Sequence, residues 1–205
     1  MKWFKIAETA YSIGDQEMRP PNEQELTDPS YAYRYAVFIL KGRWFEGEDI
    51  ISTDASTAYW YALRVVKGRW PEGEEVIKED AHWAYYYARD VVKGRWEEGE
   101  PAVASDADTS FMYAQEVVKG PWPEGEEAIL TNHTFIIEYL THTRKGPWPE
   151  AEDKLSEDAW SSYKYAKNIL KGRFKKGEKA IADDEYVSNI YREQVYPKFN
   201  RGYGR

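Results

Sequence analysis

The sequence predicts an all-α protein, an α-solenoid of six 26-residue repeats, and three recurrences within the one chain predict it. Lys-Gly recurs at Lys41, Lys67, Lys93, Lys119, Lys145 and Lys171, 26 residues apart each time, with no insertion or deletion. Two residues past each glycine stands an aromatic: Trp44, Trp70, Trp96, Trp122, Trp148 and Phe174. Six residues before each lysine stands a tyrosine: Tyr35, Tyr61, Tyr87, Tyr113, Tyr139 and Tyr165, with Tyr191 in the same phase.

Residues 1–27 hold an apolar stretch from Trp3 to Ile13, a break at Gly14 and the pair Pro20-Pro21, and are expected to form a divergent N-terminal cap. Repeats then run over 28–53, 54–79, 80–105, 106–131, 132–157 and 158–183. Each opens on Asp28, Asp54, Asp80, Asp106, Asn132 or Asp158, residue types whose side chains cap helix N-termini. A helix of about twelve residues is expected to follow. Its small positions (Ala58, Ala84 and Ser110, then Ala62, Ala88 and Ala114) share one stripe with Val65, Val91 and Val117, which lets helices approach closely. The glycine after each lysine is expected to end that helix in the left-handed conformation, with the lysine favouring the negative end of the helix dipole.

The second half of a repeat reads as in Trp70 to Ile77, with proline at the first helical position and glutamates in the first turn. So few residues, one of them glycine, predict a single turn or a 3₁₀ piece. Residues 184–205 give a capping helix stopped by Pro197, then a polar tail. No unit buries enough surface alone; stacking supplies the core.

The chain has 205 residues, 17 of them Tyr and 9 Trp, side chains that suit half-buried positions and binding surfaces. Its net charge is −8 with acids and bases interspersed, which argues against a polybasic nucleic-acid arm. Cysteine is absent, excluding disulfides and thiolate chemistry and fitting a reducing cytoplasm. The first residues turn acidic before a signal-peptide core can form, and no apolar run approaches the roughly 20 residues that span a membrane. A soluble, cytoplasmic protein is expected.

The Asp cap, the alanine-bearing helix and the Pro-Glu start of the second element resemble the leucine-rich repeat variant family, in which an α-helix alternates with a short 3₁₀ helix. The block Lys67 to Glu74 departs from that family. With the Ala-Tyr-x-Tyr-Ala pattern of Ala58 to Ala62, it is similar to repeat arrays of bacteriophage and bacterial proteins. The resemblance covers 28–183 and implies a helical repeat architecture but no activity. The phage likeness makes inhibition or sequestration of a host factor, in the host cytoplasm, a natural role.

Catalytic signatures are lacking: no His-Glu-x-x-His, phosphate-cradling glycine loop or nucleophile elbow occurs. His142 lies four residues after Glu138, but His133 projects from another face and His82 is two repeats away, so no metal site is expected. No cofactor is implied. The recurrent lysines, with Arg43, Arg69, Arg95 and Arg173, could follow a phosphate backbone; pairing with the glutamates at 48, 74, 100, 126, 152 and 178 accounts for them more simply. The tyrosine columns are expected to fill the core, with hydroxyls reaching the rim.

One column points away from the small-residue stripe, and in the middle repeats it holds Trp60, Tyr86 and Met112 rather than polar residues. With Arg64, His82, Trp83 and Arg89 these form the candidate partner-binding patch, aromatic with arginine as interface hot spots are. A protein partner is the leading expectation. A single-stranded nucleic acid and a purely structural spacer are the alternatives.

Overall fold

The computed structural model describes residues 27–195. These are built from helices joined by short turns, with no strand among the described residues. They divide into two compact units, one ending at Gly73 and one beginning at Glu74. The expected cap helix from Trp3 to Ile13 and the tail after Val195 lie outside the described residues.

Each long helix starts where its Asp predicts. Asp54 Oδ1 accepts from the Thr57 amide at 2.8 Å, Asp80 from Trp83 at 2.9 Å, Asp106 from Thr109 at 2.9 Å and Asp158 from Ser161 at 2.7 Å. All four caps have extended backbone, so the carboxylate folds back over amides that have no intrahelical acceptor. Asn132 and Asp184 do the same.

Half of each long helix differs from expectation. Ala81–Tyr87 is α-helical, but Ala88–Val92 is π-helical, and the same change occurs at Ala62–Val66 and Ala114–Val118. The wide turn is closed by two amides on one carbonyl: Lys93 N–H reaches Ala88 O five residues back, and Gly94 N–H reaches it at 3.1 Å.

This closure corrects the expectation for the glycine row. The left-handed residue is the lysine, with φ of 58° at Lys67, 61° at Lys93 and 60° at Lys119, while the φ angles of Gly68, Gly94 and Gly120 lie outside that region. The extra residue of a π turn shifts the cap one place back, from glycine to lysine. At Gly68, Gly94, Gly120 and Gly146 an added Cβ would meet nothing within 4 Å.

The second element is longer than a single turn in three repeats, while the third repeat has the expected one-turn helix, Glu100–Val103. Phe45–Ile51, Pro71–Ile77 and Pro123–Ile129 are seven-residue α-helices, and 3₁₀ turns occur at Pro149–Ala151 and Lys175–Gly177, where α-helix follows directly. The glycine here is a packing residue. A Cβ at Gly99 would collide with the Trp96 ring, and one at Gly125 would collide with Trp122. The indole therefore lies flat on the glycine Cα, three residues on. Ala151 takes the place of that glycine in the fifth repeat, and there the Tyr139–Trp148 ring separation widens to 5.5 Å from the 4.7 Å of Tyr113–Trp122.

The core holds the small residues of the stripe read from the sequence, whereas Val65, Val91 and Val117, expected on the same stripe, are half-buried where the helix has widened into a π turn. Ala84, Ala88, Ser110 and Ala114 are buried together with Trp96, Trp122, Tyr87 and Tyr113. Ser110 Oγ donates to Val103 O at 3.0 Å, so the one polar small residue there is satisfied.

A left-handed lysine costs about 1–2 kcal/mol that glycine does not incur. Lys93→Gly is therefore expected to raise the urea midpoint, while Gly94→Ala should leave it within about half a kcal/mol of the parent. A strong loss at Gly94→Ala in equilibrium urea unfolding would contradict this turn.

Candidate partner-binding surface

What the surface can offer depends on which polar groups the fold already uses. Each tyrosine of the recurrent column lays its ring on the tryptophan of its own repeat, as Tyr61 on Trp70 at 4.9 Å and Tyr87 on Trp96 at 4.8 Å. Its hydroxyl reaches the repeat before. Tyr61 donates to Glu48 at 2.7 Å, Tyr113 to Glu100 at 2.8 Å and Tyr139 to Glu126 at 2.8 Å. The same oxygen accepts the backbone amide of Trp44, Trp96 or Trp122 at 2.8–2.9 Å.

The glutamate is held from its other side by an arginine. Arg43 grips Glu48 in a fork at 2.8 Å, and Arg95 and Arg173 grip Glu100 and Glu178 at 2.7 Å. Where Pro121 replaces that arginine, Arg144 from the following repeat reaches Glu126 at 2.7 Å instead.

Two expectations fall here. The tyrosine hydroxyls do not reach the rim; they are internal partners of a carboxylate. The glutamates do not pair with the recurrent lysines, because Arg and Tyr saturate them, and the six lysines are exposed with no ion-pair partner among the described residues.

Of the candidate residues, Trp60 and Arg64 belong to the first unit. The Arg64 guanidinium stacks on the Trp60 ring at 4.6 Å, and Trp60 also meets Tyr59 edge-on at 4.9 Å. Arg64 further bonds the Tyr33 hydroxyl, where burial pushes the phenol up against the pull of that cation.

The second unit brings His82, Trp83, Tyr86 and Arg89 together. The His82 ring lies 5.1 Å from Trp83 and 4.6 Å from Tyr86, and Arg89 stacks on Tyr86 at 4.6 Å. Arg89 is also committed to the fold, with a fork to Asp90 at 2.7 and 2.8 Å and a bond to the Tyr85 hydroxyl at 2.9 Å. Tyr85 in turn donates to Glu116 at 2.7 Å. Met112 occupies the Tyr86 position one repeat further on.

Only His82 of the seven is exposed; the other six are half-buried. The reason is self-coverage: arginine and aromatic rings recline on one another and hide part of each face. What remains is a set of aromatic edges and cationic planes held in fixed positions.

The other histidines stand apart. His142 Nε2 lies 3.2 Å from Glu138 and His133 Nε2 lies 3.7 Å from Glu157, and no three potential metal ligands gather among the described residues. Sequence reasoning passes over Trp160 and Tyr186, which are exposed and whose rings lie 5.9 Å apart. Their column holds Ser30, Ser56, His82, Asp108 and Thr134 elsewhere, so apart from the candidate His82 it reads as small and polar until its last two members.

The chain matches no protein-family model, no curated protein and no solved structure. No described helix is long and apolar enough to cross a membrane.

The bonds to Arg95 hold the Glu100 carboxyl below the ordinary value of 4.5, and Arg173 does the same for Glu178. At Glu48 burial pushes upward, but the Arg43 and Tyr61 bonds prevail and the carboxyl is again lowered. Depressed carboxyls give stability that is complete above the unfolded value and is lost as pH falls through the folded one. Burial, followed by the glutamate bond, raises Tyr61, and burial is also the main cause at Tyr113, Tyr139 and, to about 12, Tyr165. Raised phenols give stability that is present below the ordinary 10.0 and is lost as pH rises through the folded value. The urea midpoint is expected to fall at about pH 3.5 and again at about pH 11 relative to neutrality.

Tyr113→Phe keeps the ring but removes one bond from the Glu100 carboxylate, leaving it to Arg95, and takes the hydroxyl acceptor from the Trp96 amide. It should cost about 1–3 kcal/mol in urea unfolding. A loss below about half a kcal/mol would remove the hydroxyl from any structural role.

Proposed function

We propose that the chain is an α-solenoid of six 26-residue repeats, 28–53 to 158–183, between an N-terminal cap (1–27) and a C-terminal capping helix and tail (184–205). We propose further that it binds a protein partner and catalyses no reaction. The observation that carries this reading is a repeated arrangement: an arginine plane on a half-exposed aromatic ring at one repeat position, Arg64 on Trp60 and Arg89 on Tyr86, each at 4.6 Å.

Pre-stacked aromatic and arginine side chains lose little rotamer freedom on binding, which is why such residues concentrate affinity at interfaces. His82, Trp83 and Met112 extend the apolar edge around Tyr86. The internal use of the glutamates and tyrosines supports the same conclusion, because the polar groups that recur most are structural. The likeness to phage arrays adds a role, sequestration or inhibition of a host protein.

Trp60→Ala and Tyr86→Ala should each weaken partner binding by about 2 kcal/mol. Because both side chains are half-buried, each should also cost folding about 1 kcal/mol. The test is affinity capture from a bacterial lysate with mass-spectrometric identification, then calorimetric titration of the captured protein. Retention of full affinity by a folded double variant would overturn the assignment.

A further inference from the structure

The last repeat differs from the others in charge. Residues 158–183 hold seven lysines and arginines, between Lys164 and Lys179, against three acids, Asp158, Glu178 and Asp183, in a chain whose net charge is −8. The fourth repeat, 106–131, holds Lys119 against six acids. Glu178 is already neutralised by the Arg173 fork at 2.7 Å, so the last repeat keeps an excess of positive charge.

Trp160 of the same repeat forms an exposed aromatic pair with Tyr186 of the helix that follows, Glu185–Gln194. Trp160 is 43% and Tyr186 is 66% exposed, and their rings lie 5.9 Å apart. Trp160 also approaches Tyr163 at 5.6 Å, and the Lys167 ammonium lies over Tyr163 at 5.4 Å while donating to its hydroxyl at 3.1 Å. Lys164 is one helical turn beyond Trp160 on the same face, exposed and without an ion-pair partner among the described residues. Tyr186 and Trp160 thus form a line of two exposed rings, joined through the buried Tyr163 ring to the Lys167 ammonium.

We infer that this line is a binding site for single-stranded nucleic acid, with bases stacking on Trp160 and Tyr186 and phosphates drawn to Lys164 and Lys167. Stacking needs an exposed ring, and phosphate binding needs cations not already neutralised by a carboxylate. Trp160 and Tyr186 meet the first condition, and Lys164 and Lys167 the second, since Lys167 donates to the neutral Tyr163 hydroxyl. Arg89 of the middle patch does not, because the Asp90 carboxylate holds it. A duplex hides its base faces and is a poor ligand for such a platform.

The test uses a fluorescently labelled oligo-thymidine, the matching duplex and poly-glutamate, titrated against the full chain by anisotropy over a series of salt concentrations. The single strand should bind more tightly than the duplex, quench tryptophan fluorescence and weaken with added salt. Trp160→Ala with Tyr186→Ala should weaken binding at least about tenfold. Lys164→Gln with Lys167→Gln should flatten the logarithmic salt dependence by about 1.4, or about 0.7 for each phosphate no longer neutralised. Tyr186→Ala alone, at the most exposed position, should lower affinity without changing the melting curve. Trp60→Ala with Tyr86→Ala should leave oligonucleotide binding unchanged, which separates this site from the protein-binding patch. Absence of binding at low salt, unchanged affinity in the folded aromatic variants, or equal competition by poly-glutamate would each overturn the inference.

Discussion

The structure depends on a tyrosine hydroxyl inserted between a carboxylate and a backbone amide of the preceding repeat. At Tyr113 this oxygen donates to Glu100, which Arg95 also holds, and accepts from the Trp96 N–H, which is buried. The ring below it packs on Trp122, so one side chain fixes both the spacing and the polar accounting between neighbouring repeats. Leaving a buried carboxylate or amide unmatched is far costlier than the net gain from a typical hydrogen bond. The arginine is less constant than the tyrosine: beside Glu152 it is replaced by Pro147, and that carboxylate keeps Tyr165 with Lys176 at 3.9 Å. Proline at position 121 removes it from the local sequence, and Arg144 supplies the charge from the following repeat.

Much of this is legible in the sequence, for reasons that can be stated residue by residue. The Asp caps and the Ala84–Ala88 stripe depend on groups three or four residues away, which the sequence spells directly. The identity of the left-handed residue is not legible. A π turn adds one residue to a helix without altering the 26-residue period, so Lys93 and Gly94 cannot be distinguished by spacing. The Tyr–Glu pairing is hidden differently: repetition shows that columns exist but not which columns touch across a boundary. Gly99 reads as a helix breaker, whereas it is the floor under the Trp96 ring.

The candidate surface is legible as a helical phase and illegible as an exposure. Trp60, Tyr86 and Met112 do sit opposite the small-residue stripe, yet long cationic side chains fold back over the rings, as Arg64 does over Trp60. Conversely, Trp160 and Tyr186 stay hidden in the sequence because most members of their column are small or polar. Phase gives direction; what lies on top depends on the neighbour.

The clasp has a direction, since each repeat presents a socket of carboxylate and amide to the next and inserts a tyrosine into the one before. In the final helix Tyr191 fills the last described socket, at Glu178 and Phe174. Duplicating or excising one whole 26-residue unit leaves every junction of the same kind, whereas any other change of length misaligns tyrosine and glutamate. The number of repeats can therefore change only in whole units of 26 residues if every tyrosine is to keep its glutamate.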